Sequence, residues 1–478
     1  MSLRQKAIIG FVWNVSDKLI NQLGYLGVTI FIARLIGPES FGLIGMLTIF
    51  ILLADSIVNN GFSQALIQKS QAITEEDTST IFYVNIIIGV FLYILLYFSA
   101  PIVATFYNEP QLVEISRILF LVILVNSLSV VTRAKLAINL DFKSQTIVGA
   151  LAVVIGSSVG LCLAFNNYGV WSLVWLTVSK SLVSSIGFWL FCRWAPKLIF
   201  STRSFIQLFK FGSNLMLAGL GATLLNNFYI VFIGKYFNSS SVGYYTQAMN
   251  LSNFLSYFIS SSLQGITYPI MTSIKDDKTR LIAIYKNLIS ITMMVSFPML
   301  IGFSAISETA ILLFLGVDWL PMEPILIALC LARAMTPISS INMNILNAIG
   351  RSDLFLKVDL VKYPLVIGGF LIGVNYGIEG IAWAMFVTAF MSFFINAYYP
   401  DKIFGFGGVA QLKAGYKYII SSLVMYFSID QVSIGDNLLL ALLVKVATGV
   451  VIYIIMMFLL RDKFFLNGID LYYKKIKT

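Results

Sequence analysis

Stretches of about twenty apolar residues follow one another along the whole chain, and they constrain its fold more than any other feature. A helix of about 20 apolar residues crosses the hydrocarbon core of a bilayer. Only 11% of the 478 residues are charged, against roughly 25% in globular proteins, which excludes a large soluble enzyme. We expect an all-α polytopic membrane protein. Its polar and Gly/Pro-marked breaks predict about fourteen transmembrane helices, at residues 8–33, 43–65, 81–105, 115–132, 146–165, 170–192, 211–233, 244–268, 287–306, 324–347, 358–375, 378–398, 418–430 and 438–460.

The basic residues predict the orientation of these helices. With the amino terminus in the cytoplasm, 24 of the 32 Lys and Arg residues fall in cytoplasmic segments, and only Arg34 and Lys235 fall outside. Cytoplasmic loops carry an excess of Lys and Arg, so both termini are expected inside. The net charge of +10 is therefore an orientation signal, and we expect no nucleic-acid partner.

The composition also limits the chemistry. The chain has no histidine, which excludes imidazole bases and His-ligated metals. Its cysteines, Cys162, Cys192 and Cys330, are far apart in apolar segments and match neither a disulfide framework nor a zinc site. No phosphate-binding loop of the G-x-x-x-x-G-K-[ST] type occurs. We therefore predict no catalytic residue, no metal, no cofactor and no ATP-driven motor within the chain.

Two pairs of short segments indicate an internal repeat. ARLIGPESFG, ending at Gly42, matches GKYFNSSSVG, ending at Gly243, at an offset of 201 residues. NYGVWSLVW, from Asn167, matches NYGIEGIAW, from Asn375, at an offset of 208. The alternative is a chance match of short loops. Because each block would hold an even number of helices, the repeats are parallel ones, related by an axis along the membrane normal.

The repeat predicts the domain organisation. Residues 1–200 form an N-lobe of six helices, and residues 201–400 form a C-lobe of six more. Residues 401–478 contain the last two helices and a basic cytoplasmic tail. In transporters built from such repeats the substrate site lies near the bilayer midplane at the repeat interface.

Further motifs carry a resemblance to a known family. These are GFSQALIQK (61–69), FYNEPQL (106–112) and LLFLGVDWLPMEPIL (312–326). With ARLIGPESFG, they resemble the bacterial polysaccharide exporters of the MOP superfamily, the Wzx-type lipid-linked oligosaccharide flippases. This group is related to the MATE drug exporters and to the lipid II flippase. The motifs are mainly structural turns, so they identify the fold better than the cargo.

The resemblance implies a function. Two six-helix lobes would surround a central cavity in the bacterial cytoplasmic membrane. By alternating access, the protein would carry an undecaprenyl-pyrophosphate-linked oligosaccharide from the cytoplasmic to the periplasmic leaflet. The product would be a surface polysaccharide, whether O-antigen, capsule or exopolysaccharide. Its partners would be the lipid-linked oligosaccharide, the membrane lipids, the polysaccharide polymerase and chain-length proteins, and H⁺ or Na⁺ as a coupling ion.

Three basic residues fall near the middle of predicted spans, namely Lys18, Lys180 and Arg333. A charge at bilayer depth is costly and marks a functional site by default. Lys and Arg both bind phosphate oxygens, so we predict that these three form a cationic site for the pyrophosphate. The alternative is that Lys18 and Lys180 pair with Asp17 or Asp55 and hold helices together.

Polar residues recur at helical spacing on three predicted spans and would face a wet cavity. Amide and tyrosine side chains suit sugar hydroxyls because they offer donors and acceptors. The alternative is hydrogen bonding between helices, which is common in membranes. The predicted glycan-binding residues are Asn14, Asn21, Tyr25, Gln247, Asn250, Tyr257 and Asn344.

Two midplane acids, Asp55 and Asp17, are the candidates for ion coupling, and Asp55 is the better one because Asp17 adjoins Lys18. A MATE-like multidrug exporter is the alternative function. It predicts an acidic cavity for cationic drugs, whereas here three midplane cations outnumber two acids. A membrane-embedded glycan polymerase or ligase is a third hypothesis, which the short loops and the absence of histidine disfavour.

Overall fold

The computed structural model describes residues 3–69, 73–432, 435, 437–462 and 464–466. The regular secondary structure of this part of the chain is entirely helical, and it contains no strand. Its helices are α1 (Leu3–Asp55), α2 (Phe62–Gln68), α3 (Glu75–Tyr107), α4 (Leu112–Leu119), α5 (Leu121–Ser127), α6 (Val130–Ile138), α7 (Phe142–Phe165), α8 (Trp171–Cys192), α9 (Thr202–Asn226), α10 (Phe228–Tyr236), α11 (Ser239–Ser273), α12 (Lys278–Ala305), α13 (Ser307–Phe314), α14 (Glu323–Ala334), α15 (Thr336–Ala348), α16 (Ser352–Gly373), α17 (Gly377–Phe404), α18 (Gly408–Asp430) and α19 (Leu438–Leu459).

Nine helical stretches in the described ranges are long and apolar enough to cross a membrane, or ten if the bent pair Leu112–Ser127 and Val130–Ile138 is one span. Two of them, Ile20–Gln68 with 49 residues and Asp353–Phe404 with 52, exceed twice the length that one span needs. Helices α11 and α18 match predicted spans but are less apolar. The all-α membrane fold is thus confirmed, while the count of fourteen stays a prediction.

Both very long stretches are interrupted near their middle. In the first, Gly37 has φ 74° and ψ 175°, outside the helical region, and Pro38 restarts the helix. This conformation is open to glycine at no steric cost. In the second, a 3₁₀ turn at Val374–Tyr376 separates α16 from α17. Each long stretch therefore contains two helical segments, which agrees with the predicted breaks between spans.

The equivalent turns of the second repeat match share a glycine with a positive φ. Gly169, which precedes α8, has φ 53°, and Gly377, which begins α17, has φ 77°. Both follow an Asn-Tyr pair, and both introduce a helix. In both NYG segments the glycine therefore has a positive φ, which glycine adopts without strain, in the connection that introduces a helix.

The outer face of α3 is an apolar stripe that the protein leaves uncovered. Phe91, Leu95, Phe98 and Ile102 follow one another at helical spacing and are 47–74% exposed. Soluble proteins rarely expose so continuous an apolar surface. An apolar face of this kind is suited to contact with lipid acyl chains.

The chain divides into two compact units, Met1–Gly243 and Tyr244–Thr478. In the first unit, α7 packs against α1 and α8, and α9 packs against α2 and α3. The unit therefore includes α9 and α10, which the repeat assigns to the second block. The boundaries 1–200, 201–400 and 401–478 rest on sequence equivalence and stay a prediction.

The second unit is held together by a buried polar network between three helices. The Tyr285 hydroxyl of α12 donates to Asn342 Oδ1 of α15 at 2.6 Å. Gln411 of α18 accepts from Asn342 Nδ2 at 3.1 Å and donates through Nε2 to the Phe406 carbonyl at 3.0 Å. All three side chains are fully buried. Helix α18, which lies outside the sequence repeat, is thereby fixed to α12 and α15.

Candidate substrate-binding site

The first unit places Lys180 against an aromatic ring. The ammonium group of Lys180, on α8, lies 4.3 Å from the ring centroid of Tyr25, on α1. Gly156 allows α7 to pack closely against α8 beside Lys180, since a Cβ at position 156 would lie 2.9 Å from Lys180 Cβ. Tyr25 is 36% exposed, so the pair is reachable from outside. A cation over an aromatic face is attracted to the ring quadrupole, which orients the ammonium group without neutralising it.

Lys180 forms no ion pair with any side chain that the structure describes. The proposed pairing of Lys180 with Asp55 is therefore absent from the described residues. The side chains of Asn14, Asp17 and Lys18 lie outside the described residues, so their predicted roles remain untested. Asn21 of the same stripe is half-buried.

Asp55 lies in a polar cluster that joins α1, α5 and α8. Its carboxylate accepts a hydrogen bond from Asn59 Nδ2 at 2.5 Å and also interacts with the side chain of Asn126. Asn126 Oδ1 in turn accepts from the Ser181 hydroxyl at 2.6 Å. Ser181 is the residue after Lys180, so the cluster connects the acid to the helix that carries the cation. Two amide donors hydrogen-bond this carboxylate, and the positive charge of Arg133 also attracts it.

The helix changes its geometry immediately after Asp55. Residues Ser56–Asn60 form a π-helix, a rare turn that is frequent at functional sites. Ser56 Oγ also lies 3.1 Å from Thr223 Oγ1 of α9. Two consecutive polar residues at the start of the π-helix therefore have different partners. Asp55 contacts Asn126, and Ser56 contacts Thr223.

In the second unit, Arg333 ends α14 beside α11. Its Nε atom is buried and has no hydrogen-bond partner among the described residues. The Ser256 hydroxyl of α11 donates to the Arg333 carbonyl at 3.3 Å, which places the two helices in contact there. A buried guanidinium N–H without an acceptor carries a large desolvation cost. An anionic ligand would remove that cost.

The other predicted residues of the second unit differ in exposure. Gln247 is 2% exposed, and both its Nε2 and Asn344 Nδ2 lack a partner among the described atoms. Asn250 is exposed, and Tyr257 is 44% exposed. Gln247 and Asn344 thus keep unused donors, while Asn250 and Tyr257 present theirs at the surface of the unit.

The sequence matches a known protein family. Residues 31–324 match the family model described as "Polysaccharide biosynthesis protein". The match covers more than half of the chain. This chain belongs to that family.

Named members of polysaccharide pathways resemble the chain over most of its length. The teichuronic acid biosynthesis protein TuaB of Bacillus subtilis is 28% identical, over 72% of this chain and 71% of its own. The lipopolysaccharide biosynthesis protein WzxC of Escherichia coli is 24% identical, over 83% and 82%. The succinoglycan biosynthesis transport protein ExoT of Rhizobium meliloti is 23% identical, over 79% and 77%.

Solved structures show the fold of this polysaccharide biosynthesis protein. The lipid II flippase MurJ in an inward closed conformation matches with a TM-score of 0.77 at 16% identity, over 95% of this chain and 99% of that one. An inward-facing MATE transporter of the MOP superfamily matches with a TM-score of 0.61 at 16% identity, over 89% and 100%. The expected fold, like that of MurJ and the MATE transporter, is confirmed.

Two residues of the candidate site were not predicted from the sequence. Asn126 and Ser181 complete the Asp55 cluster, but each is a single polar residue within an apolar span. Only the packing of α5 against α8 brings them together. By contrast, Lys362 pairs with Asp359 at 2.5 Å, and residues three apart on one helix are neighbours whatever the tertiary packing.

Proposed function

We propose that the chain is a flippase that moves an undecaprenyl-pyrophosphate-linked oligosaccharide unit from the cytoplasmic to the periplasmic leaflet of the bacterial cytoplasmic membrane. The observation that supports this most is Lys180, a cation in a membrane helix that forms no ion pair among the described residues. A half-buried positive charge in a membrane helix suits a phosphate group, since charge-assisted hydrogen bonds are strong in a low dielectric. The relatives' names, which concern polysaccharide biosynthesis, support the cargo class.

Arg333 supports the same chemistry in the second unit. Its Nε–H lacks an acceptor among the described side chains, and a guanidinium fork matches phosphate oxygens in shape. We propose that Lys180 and Arg333 each bind phosphate oxygens at some stage of transport. Lys18, whose side chain lies outside the described residues, is proposed as a third cation of this kind.

The sugars would contact the amide and phenol groups. Asn344 and Gln247 keep free donors, and Tyr25, Asn250 and Tyr257 are exposed. Transport itself would involve no covalent step, so the protein would act as a carrier rather than as an enzyme. Asp55 would take up the coupling ion, with both chain termini in the cytoplasm.

Deletion of the gene tests this proposal. Surface polysaccharide and lipid-linked oligosaccharide on the cytoplasmic leaflet are quantified together in the deletion strain and in a complemented one. The proposal expects loss of the first and accumulation of the second. Loss of polysaccharide without accumulation would contradict it, because the block would then precede translocation.

A MATE-like multidrug exporter is the second candidate, favoured by the MATE fold similarity and by the acid at Asp55. It expects a drug-sensitive strain to gain resistance to cationic compounds when the chain is expressed. Resistance together with unchanged polysaccharide in the deletion strain would replace the flippase proposal.

A further inference from the structure

The segment that joins α8 to α9, residues 193–201, is held in place although it is not helical. The Lys197 N–H donates to Ser79 Oγ at 3.0 Å, and the Ser201 N–H donates to Thr80 Oγ1 at 3.0 Å. Both hydroxyl-bearing side chains are fully buried at the start of α3. We call residues 193–201 the α8–α9 linker. Its backbone is fixed by buried partners, so the side chains that it exposes have a defined direction.

The fixed backbone exposes three consecutive apolar residues. Leu198 is 95% exposed, Ile199 is 40% exposed, and Phe200 is 57% exposed. The linker connects two candidate membrane spans, Trp171–Cys192 and Thr202–Asn226. It therefore lies where the hydrocarbon core meets the headgroups, a depth at which apolar side chains enter the acyl boundary.

Exposed positive charges flank the same three residues. Arg193 and Lys197 lie in the linker, and Arg203 and Lys210 lie within the first nine residues of α9. None of these four forms a salt bridge with a side chain in the described ranges. Lys and Arg at the membrane surface attract anionic lipid headgroups.

The neighbouring acids are already used by other cations. Asp77 pairs with Lys69 at 2.9 Å, and Glu75 pairs with Lys135 at 3.0 Å. Glu75 also accepts a hydrogen bond from the Trp194 indole N–H at 2.9 Å. The close partners of these two acids are therefore Lys69 and Lys135, and Lys197 adds only a longer-range attraction to Glu75. The linker's cations keep their hydrogen-bonding capacity for an external anion.

We propose that the α8–α9 linker is a binding site for anionic phospholipids. Leu198, Ile199 and Phe200 enter the acyl region, and the four flanking cations bind the phosphodiester headgroups. The apolar triplet is complementary to the acyl chains of a phospholipid, and the charges are complementary to its anionic headgroup. This inference does not depend on which cargo the protein carries.

The test compares lipid binding by the full-length protein in nanodiscs. The discs contain phosphatidylcholine with or without phosphatidylglycerol, and the readouts are the lipids retained in native mass spectrometry and the thermal stabilisation that phosphatidylglycerol confers. The linker variant carries Arg193→Gln, Lys197→Gln, Arg203→Gln and Lys210→Gln. Each surface charge contributes roughly fivefold in lipid affinity, so we expect the preference for phosphatidylglycerol to fall at least tenfold.

A matched control removes four exposed charges from the turn between α11 and α12 and from the start of α12. Its changes are Lys275→Gln, Lys278→Gln, Arg280→Gln and Lys286→Gln. This control should keep the preference for phosphatidylglycerol. A second variant, Leu198→Gln with Phe200→Gln, keeps all charges and should shorten lipid retention. Melting in phosphatidylcholine alone reports folding of each variant.

Three outcomes would overturn the inference. One is an unchanged lipid preference in the linker variant. Another is an equal loss in the control loop, which would assign the effect to overall charge. The third is competition in which undecaprenyl phosphate displaces phosphatidylglycerol from the linker at much lower concentration, which would assign the surface to the polyprenyl lipid instead.

Discussion

Gly42 and Gly243 pack against each other reciprocally within the first unit. A Cβ on Gly42 would overlap the Ser239 carbonyl, and a Cβ on Gly243 would overlap the Pro38 carbonyl. Pro38 and Ser239 are separated by 201 residues, the same offset that relates the two glycines. A contact in which position i meets j and j meets i is the mark of a two-fold axis. The first repeat match in the sequence is thus also a contact in space.

Gly42→Ala is expected to destabilise the protein because backbone atoms cannot move aside as a flexible side chain can. Overpacking of this kind costs about 1–3 kcal/mol, and Gly243→Ala should cost a similar amount. Thermal unfolding in detergent measures both. The control is Gly27→Ala, in α1, where a Cβ would meet nothing within 4 Å. A melting temperature for Gly42→Ala equal to that of the control would contradict the close packing.

The sequence predicted features that depend on spacing along one helix or on repetition along the chain. The equivalence of Gly42 with Gly243 follows from a repeat, and the pairing of Lys362 with Asp359 follows from one helical turn. The apolar spans could be predicted from the sequence because they too are local features of the chain. Local periodicity determines these features, so no tertiary contact had to be known.

The remaining features depend on which helices meet. Asp55 and Asn126 are 71 residues apart, and nothing in the chain between them marks their contact. Tyr285 and Gln411 are 126 residues apart and lie in different helices. Single polar residues in apolar helices look alike in the sequence. Only packing distinguishes one that meets a polar partner from one that hydrogen-bonds its own helix.

Lys180→Gln should impair transport without affecting folding. The change removes the charge over Tyr25 while keeping a similar length, and a charge-assisted contact to phosphate is worth about 1.5–3 kcal/mol. We therefore expect surface polysaccharide output to fall about tenfold or more at equal protein level in the membrane. Lys180→Arg should retain part of the output.

Lys402→Gln is the matched control for this variant. Lys402 lies 4.5 Å from the Tyr398 ring centroid, so the change removes the same kind of cation–π pair away from the proposed site. Its polysaccharide output should equal that of the wild type. If the Lys180→Gln strain also makes normal polysaccharide, Lys180 does not bind the headgroup.

Asp55→Asn should remove ion coupling while leaving the substrate site intact. The neutral amide cannot take up and release a proton, nor does it balance the charge of Na⁺. In proteoliposomes, the ratio of transport with an imposed H⁺ or Na⁺ gradient to transport without one should fall to about one, because an ion with equal affinity for both states shifts no equilibrium. Asp353→Asn, which alters an exposed pair with Arg351, should keep the wild-type ratio. A gradient response that survives in Asp55→Asn would place the coupling elsewhere.

Gln411→Ala should destabilise the second unit by breaking the network between α12, α15 and α18. The Asn342 amide loses its acceptor and the Tyr285 hydroxyl loses a donor, and each buried group left unsatisfied costs about 1–3 kcal/mol. The expected loss of about 2–5 kcal/mol is measured by thermal or denaturant unfolding in detergent. Ser428→Ala, on the same helix, changes a half-buried hydroxyl that donates to the Val424 carbonyl of its own helix, and it should stay within about 0.5 kcal/mol of the wild type. If Gln411→Ala and Ser428→Ala unfold at the same midpoint, apolar packing alone holds α18 in place.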